Sequence, residues 1–292
     1  MIIDCHYHLE ERILTVPDLI GKMDESGIDR VALMGALNDP FPEPPAVGAR
    51  IMQFLLRRKT LRGMGRLLSG NFNAEGNIRL LSGQTIVIYR DPDNAPVFAA
   101  ADAHPGRFLG WIFVNPRGAK EQKAEAMKWM GHPACAGIKA HPFWHRYDPV
   151  ELLPSAQIAA ARGKPLILHA GFGSHGDIRA LLARVPDLKL VLAHTAFPEF
   201  GDTWKEIRAN RNVYVDLSQT SYVNRRTIRE VVGFLGPERC LYGTDGPFGF
   251  HGKDGLFDYT VIKGWIEDIF RDGGVKRRIL GENFAELVGI GD

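Results

Sequence analysis

Asp4-Cys5-His6-Tyr7-His8 ends the first apolar run of the chain and places two histidines two residues apart. Side chains of a β-strand alternate between its two faces, so Asp4, His6 and His8 point to the same face. Two imidazoles on one face can bind the same metal ion. The segment therefore predicts a strand whose carboxyl end carries metal-ligating side chains.

Seven further short runs rich in Ile, Val and Leu follow, separated by helix-like stretches. Runs such as 190–192 are apolar on both faces, as strands covered by helices require. Strand and helix in alternation predict a parallel sheet, either closed into a (β/α)8 barrel or open and doubly wound. The predicted strands are Ile2–His8, Arg30–Gly35, Phe108–Val114, Ala136–His141, Pro165–Ala170, Lys189–Thr195, Val213–Ser218 and Cys240–Asp245.

Chemically reactive side chains lie at the ends of most of these predicted strands. His169 ends the fifth, His194 the sixth and Asp245 the eighth, while Lys139 and His141 share a face of the fourth. A packed barrel interior favours branched apolar residues, so polar groups at one rim cost stability unless they bind something. Barrels draw catalytic residues from the carboxyl ends of several strands, whereas an open sheet binds at one switch point. The distribution favours the barrel.

These side chains suggest a metal centre. Three imidazoles and one carboxylate suit Zn²⁺, with Mn²⁺, Fe²⁺ and Co²⁺ as alternatives. If His6, His8, His169 and Asp245 hold one ion, a further position stays open for water. A bound ion lowers the pKa of that water to about 7 and polarises a carbonyl group. His194 is then free to act as general acid or base, because an unperturbed histidine titrates at about 6.5.

The combined pattern resembles the amidohydrolase superfamily, in particular its compact branch of metal-dependent hydrolases and non-oxidative decarboxylases. The resemblance covers residue 2 to about 290 and implies a distorted (β/α)8 barrel with the metal at its carboxyl rim. It implies that the four ligands above bind the metal, and we expect His194 and Asp245 to be catalytic. The motifs that carry it are Asp-x-His-x-His at the first strand, Gly137–Pro142, His169, His194, Gly243–Asp245 and Ile279–Asn283.

Lys139 has two interpretations within that superfamily. In binuclear relatives a fourth-strand lysine is carbamylated and bridges two metal ions. Compact members mostly resemble mononuclear enzymes, so we expect one ion and a free ammonium that binds a substrate carboxylate. His141 and Trp144, in the loop that follows, are further predicted substrate-binding residues, because an indole ring can stack on a flat substrate. Asp216, at the end of the seventh strand, is expected either to hydrogen-bond loop backbone or to contact ligand.

The length of 292 residues fits one barrel of about 250 residues with an insertion. We therefore predict a single domain, 1–292, with an insertion at about 36–107, where the connection is far longer than an ordinary loop. We expect this insertion to be a helical cap or an oligomer contact. Its arginines either form a solvated helical face or attract an anionic substrate or a partner. Its basic cluster comprises Arg57, Arg58, Lys59, Arg62 and Arg66.

Composition excludes several classes of partner. The chain has 36 Lys plus Arg against 34 Asp plus Glu and is 45% hydrophobic, as expected of a soluble globular protein. This balance argues against nucleic acid, and no apolar run approaches the roughly 20 residues of a membrane span. Three widely spaced cysteines and a polar N-terminal segment predict a cytoplasmic protein. The expected partner is a small-molecule substrate, with a homo-oligomer left open.

Two reactions follow from the resemblance. The first is hydrolysis, in which metal-activated water attacks an amide, lactone or ester carbonyl and His194 transfers the proton. The alternative is a lyase reaction, the non-oxidative decarboxylation of an aromatic or unsaturated acid, and the same residues serve both. Lys139 and the basic cluster favour an acidic substrate in either case. A non-catalytic metal-binding scaffold would have lost one of these residues, and none is missing.

Overall fold

In the computed structural model, the parts of the chain described are 1–40, 46–56, 58, 60–62, 64, 71–73, 75–79, 83–248 and 257–291. Within them β1, β2 and β6 to β11 pair in that order as one parallel sheet, and β3 to β5 form a small antiparallel sheet. The strands are β1 (Ile3–Leu9), β2 (Arg30–Gly35), β3 (Asn71–Phe72), β4 (Ile78–Arg79), β5 (Thr85–Ile86), β6 (Phe108–Phe113), β7 (Cys135–Ala140), β8 (Leu166–Leu168), β9 (Leu190–Leu192), β10 (Val213–Asp216) and β11 (Cys240–Leu241).

Helices alternate with the parallel strands, which confirms the predicted (β/α)8 architecture. The first helix begins after Thr15, whose side chain accepts the N–H of Asp18, and ends at Gly27 in the left-handed conformation. No helix among the described residues is long and apolar enough to cross a membrane. The α-helices of the described residues are Val16–Ser26, Ala46–Leu56, Ala95–Ala103, Gln122–Trp129, Pro142–His145, Leu153–Ala161, Arg179–Arg184, Ala193–Ala196, Gly201–Ile207, Arg225–Leu235, Thr260–Ile269, Gly273–Arg277 and Asn283–Val288.

The C-terminal helix closes the amino end of the barrel. Its apolar side packs on the cluster inside the sheet, which includes Trp111. Two lysines that precede strands cap its last carbonyls: Lys164 Nζ donates to Val288 O at 2.7 Å and Lys189 Nζ to Leu287 O at 3.2 Å. With the amino end filled, the carboxyl end is the face that remains for a functional site.

The edges of the sheet close where β1 meets the segment after β11. The N–H of Cys5 donates to Tyr242 O at 3.0 Å, and that of His8 donates to Gly246 O at 2.6 Å. The buried Asp4 carboxylate strengthens this seam, because it accepts the Thr244 N–H at 3.0 Å and the Thr244 hydroxyl at 2.5 Å. Asp4 therefore stabilises barrel closure, and the pairing register of β1 shifts between Asp4 and Tyr7.

The connection between β2 and β6 is not purely helical, because its described part also contains the β3 to β5 sheet. Its first helix binds the barrel through Gln53, whose amide nitrogen donates to Thr220 O at 3.0 Å and whose amide oxygen accepts from Asn224 at 2.9 Å. The small sheet contributes Ile78 to an apolar cluster that Trp144 contacts. The insertion thus reaches the carboxyl rim of the barrel.

The basic cluster divides in the structure. Arg62 is buried and forms ion pairs with Glu199 and Asp202, so neither interpretation given for the arginines applies to it: it anchors the insertion to the barrel. The Arg58 guanidinium instead lies 3.6 Å from the centre of the Phe54 ring. The other three members, Arg57, Lys59 and Arg66, lie outside the described residues.

The seam provides a stability test. We expect Asp4→Ala to lower the free energy of unfolding by about 2 kcal/mol, because two buried donors of Thr244 lose their acceptor. Asp4→Asn keeps one acceptor oxygen and should lose less. Denaturant unfolding measures both, with the exposed Asp187→Ala expected within about 0.5 kcal/mol of the wild type. Equal stability of the Ala variant and the wild type would contradict this role.

Candidate metal centre

Two histidines of β1 and one aspartate beyond β11 meet at the carboxyl end of the barrel. His6 Nε2 lies 3.0 Å from Asp245 Oδ1, and His8 Nε2 lies 3.4 Å from the same oxygen. All three side chains are buried, and their ligand atoms lie within 4.8 Å of one another. Three of the four predicted ligands are therefore adjacent.

Partners behind the two imidazoles fix how the rings face this point. His6 Nδ1 lies 2.9 Å from Asp216 Oδ2, and His8 Nδ1 lies 3.3 Å from the carbonyl oxygen of Gly35. Both oxygens are acceptors, so we assign the ring hydrogen to Nδ1 in each case, which leaves the Nε2 lone pair directed at Asp245. Metal-binding histidines are typically oriented by such outer partners.

The electrostatics of this group fit a cation. Burial raises the pKa of Asp245, but the imidazoles of His194 and His6 outweigh it and keep the pKa well below its usual range. Burial and the Lys139 ammonium lower the pKa of His6, but the carboxylates of Asp216 and Asp245 raise it overall. Two imidazole lone pairs and an ionised carboxylate directed at one point are the donors that Zn²⁺ and similar divalent ions prefer. The residues present therefore fit the predicted ion.

Asp216, at the end of β10, connects this group to His194. Its Oδ1 accepts the backbone N–H of His194 at 2.9 Å and that of Ser218 at 3.0 Å, and it also accepts the Ser218 hydroxyl. Its Oδ2 accepts from His6. The expectation that Asp216 hydrogen-bonds loop backbone is confirmed. The carboxylate also positions two site histidines, which the sequence did not reveal.

His194 has its unprotonated nitrogen on the site side. The Ser218 hydroxyl donates to Asp216, so Ser218 Oγ accepts from His194 Nδ1, which lies 2.8 Å away. His194 Nε2 then carries the lone pair, and it lies 3.1 Å from His169 Nδ1. Burial lowers the pKa of His194 to about 4, so the imidazole is neutral near pH 7. A neutral imidazole with a lone pair on Nε2 can accept a proton.

His169 lies beside the three-residue group rather than within it. Its Nδ1 faces His194, while its Nε2 is buried without a hydrogen-bond partner. The ligand atoms of His6, His8 and Asp245 all lie within 4.8 Å of one another. Among the described residues, no His169 atom belongs to such a group. Its role as the fourth ligand stays a prediction.

Lys139 lies on the Nε2 side of His6, which is the side that faces Asp245. It is fully buried, and its Nζ lies 3.2 Å from His6 Nε2. Burial lowers the pKa of Lys139 to about 8, so part of the population is a neutral amine near pH 7.5. A free ammonium and a carbamylated side chain are both compatible with this position, and the predicted contact with a substrate carboxylate stays a prediction.

Comparison with known proteins assigns the family. The amidohydrolase family profile matches residues 3–290. The chain belongs to the amidohydrolase family. Protein fluG of Emericella nidulans is 27% identical to this amidohydrolase over 119 residues. The matched region covers 36% of this chain and 14% of that protein. The chain thus matches a small part of its curated relative.

Solved structures share the fold of this amidohydrolase across its length. A 2,6-dihydroxybenzoate decarboxylase from Rhizobium superposes with a TM-score of 0.63 at 13% identity, covering 99% of this chain and 98% of the other. A candidate 2-pyrone-4,6-dicarboxylic acid hydrolase from Pseudomonas putida also gives 0.63, at 15% identity, covering 99% and 97%. Identities this low support the barrel fold alone.

A cavity with aromatic walls lies over the metal centre of this amidohydrolase and is lined in part by His8, His169 and Asp245. The predicted residues His141 and Trp144 form one wall, with ring centroids 4.8 Å apart. Tyr222 lines it as well and stacks on Phe197 at 4.1 Å. The cavity is narrow, with a volume of about 40 Å³, and its described lining includes no Arg or Lys, so its aromatic walls suit a small, flat group.

Sequence inspection missed Gln219, which holds the second oxygen of Asp245. Gln219 Nε2 donates to Asp245 Oδ2 at 2.8 Å, and Gln219 Oε1 accepts the Ser221 N–H at 3.0 Å. Because Oδ2 is engaged, Oδ1 remains directed at His6 and His8. An amide three residues beyond the end of β10 has no sequence signature, so the contact is visible only in the fold.

Replacing Gln219 tests whether it orients Asp245. We expect Gln219→Leu to weaken zinc binding about 10-fold or more, because outer partners of metal ligands typically contribute 10- to 100-fold to affinity. Competition with a chromophoric chelator measures the dissociation constant. Gln157→Leu, on an exposed helix position, serves as the matched control. Unchanged affinity in both variants would show that Asp245 does not depend on Gln219.

Proposed function

We propose that this amidohydrolase is a metal-dependent hydrolase that acts on an amide, lactone or ester of a small acidic molecule. The convergence of His6 Nε2, His8 Nε2 and Asp245 Oδ1 carries the proposal. A divalent ion bound there supplies hydroxide at neutral pH and polarises the carbonyl group. Zinc is the expected ion, and one ion is expected rather than two.

His194 is the proposed proton acceptor. Its Nε2 has no hydrogen in the assigned tautomer, and its Nδ1 donates to Ser218, which donates to Asp216. When Nε2 takes a proton from the attacking water, the ring becomes positive, and the Asp216 carboxylate stabilises that charge through Ser218. His194 can then return the proton to the leaving group. General acid–base catalysis of this kind contributes about 10²- to 10⁴-fold to the rate.

Asp245 has two proposed roles. Its Oδ1 faces His6 and His8 as a metal ligand, and its negative charge would compensate the positive charge of the bound ion. Burial of the whole group excludes bulk water, which strengthens each of these electrostatic interactions. Lys139 Nζ, 3.2 Å from His6 Nε2 on the side that faces Asp245, would add a positive charge that favours an anionic substrate.

A second candidate reaction is decarboxylation of an aromatic acid. The paired aromatic walls at Trp144 and Tyr222 favour it, and one structural neighbour is a 2,6-dihydroxybenzoate decarboxylase. In that reaction the bond between the ring and the carboxyl carbon breaks, carbon dioxide leaves and the ring carbon takes a proton. Because His194 Nε2 carries no hydrogen in the assigned tautomer, His194 would take that proton from water and pass it to the ring carbon.

A substrate panel distinguishes the two reactions. We expect the zinc-loaded protein to hydrolyse at least one member of a set of acidic lactones, esters and amides, and chelation with dipicolinate to abolish turnover. Readdition of zinc should restore it. Release of carbon dioxide from hydroxybenzoates with no hydrolysis would favour decarboxylation. Equal hydrolysis by metal-free and metal-loaded protein would exclude the proposed mechanism.

Variants at the centre separate metal binding from proton transfer. We expect His6→Ala to lose bound zinc and activity together, because one of three adjacent ligands is removed. His194→Gln should keep zinc and lose about 10²- to 10⁴-fold in kcat, since only proton transfer is lost. Elemental analysis and steady-state kinetics report the two effects. His104→Gln, far from the centre in the fold, is the control, and full activity of His194→Gln would refute its assignment.

A further inference from the structure

A second, outer cavity of about 410 Å³ lies at the same rim. Loops that follow β6, β7 and β8 line it from the barrel side, and the insertion lines it from the other. Its volume is within the roughly 300–1,000 Å³ of small-molecule sites. Trp144 lines both this cavity and the one over the candidate metal centre, so the two cavities share a wall residue.

Cationic side chains dominate the described lining of the outer cavity. It includes Arg90, Arg117 and Arg146 with one carboxylate, that of Glu75. Arg117 is neutralised, because its guanidinium pairs with Glu151 through contacts of 2.8 Å and 3.1 Å. Arg90 and Arg146 have no carboxylate partner among the described residues. After Glu75 is counted against them, the cavity keeps a net positive charge.

The backbone and one aromatic ring hold these arginines at the cavity. Arg117 Nη1 donates to the carbonyl oxygen of Arg146 at 2.8 Å, so the ion pair with Glu151 also fixes the loop that carries Arg146. The Arg146 guanidinium lies 5.5 Å from the centre of the Phe72 ring. On the other side Asn115 donates to the carbonyl oxygen of Arg90 at 2.8 Å. The two cationic positions are therefore built into the rim.

His145 adds an unused acceptor to the same cavity. Its Nε2 lies 3.0 Å from the carbonyl oxygen of Tyr89, so this nitrogen carries the hydrogen. Its Nδ1 is buried and has no hydrogen-bond partner. Burial lowers the pKa of His145 to about 4, which leaves Nδ1 an acceptor at neutral pH. An orphaned buried acceptor indicates a bound donor, such as a hydroxyl group.

We propose that the outer cavity binds a carboxylate of the substrate remote from the reacting group, with Arg90 and Arg146 as its cationic contacts. This rests on the proposed function, because it places the reacting end of the same molecule over the metal centre. The described lining of the inner cavity has no arginine, so the second charge of a dianionic substrate finds its partners beyond Trp144. The arginines would thus select dicarboxylates over monocarboxylates.

Binding of three probes to the zinc-loaded protein tests the assignment. Benzoate has one carboxylate, whereas isophthalate and 4-carboxycinnamate place a second one at increasing distance. We expect at least one dicarboxylate to bind about tenfold more tightly than benzoate by calorimetry. Arg90→Gln and Arg146→Gln should each remove that gain and leave benzoate affinity within twofold. Arg271→Gln, an exposed arginine elsewhere, should change neither.

Three results would overturn the proposal. The first is that neither dicarboxylate binds more tightly than benzoate. The second is that the arginine variants weaken benzoate binding as much as they weaken dicarboxylate binding, which would indicate a general loss of structure. The third is that saturating benzoate leaves dicarboxylate binding unchanged, which would make the outer cavity an independent site. None of these measurements requires turnover, so failure of the hydrolase proposal would not produce any of them.

Discussion

The buried carboxylate of Asp216 is the constraint on which the site depends. An ionised group out of contact with water is costly unless charged and hydrogen-bonded partners compensate it, and Asp216 has partners at both oxygens. Those partners are the Nδ1 side of His6 and the backbone of His194. One side chain therefore fixes the ring orientation of His6, a proposed metal ligand, and the backbone position of His194, the proposed proton acceptor. The two proposed functions are coupled through Asp216.

The backbone at the rim carries strain in the same places. His194, Gln219 and Asp245 all have positive φ angles, of 54°, 67° and 63°. Residues other than glycine held in this region cost roughly 1–3 kcal/mol each and persist only where surrounding contacts fix them. Here the contacts are those of Asp216 to the His194 amide and of Gln219 to Asp245. The unfavourable backbone free energy therefore falls on His194, Gln219 and Asp245, whose side-chain directions shape the candidate site.

The sequence predicts the barrel and most of the rim because both follow local rules. Alternating strand and helix patterns gave the topology, and the carboxyl end of a strand is where a barrel exposes its functional residues, so His6, His8, His194 and Asp245 could be found. Contacts between distant segments follow no such rule. The clamp of Asp4 on Thr244 and the support of Asp245 by Gln219 depend on register and loop conformation.

The same limit explains why the insertion was incompletely predicted. Its length marked it as an insertion, but two-residue strands such as β4 and β5 are too short to show an alternating pattern. Arg62 looked like part of a surface cluster because its partners, Glu199 and Asp202, lie more than 130 residues away. Charge counted along the chain does not show where charge is neutralised in the fold.

In this architecture, the residues that can carry out a reaction and those that shape the cavity come from different parts of the chain. The residues that can bind a metal and move a proton come from strand ends, whose geometry the barrel fixes. The walls over them come from loops, with Trp144 after β7 and Tyr222 after β10, and from the insertion. Loops can change without disturbing strand ends, because they contribute little to the barrel core. This is why the strand-end residues alone cannot distinguish hydrolysis from decarboxylation. The shape and charge of the two cavities are the features that bear on which molecule can bind.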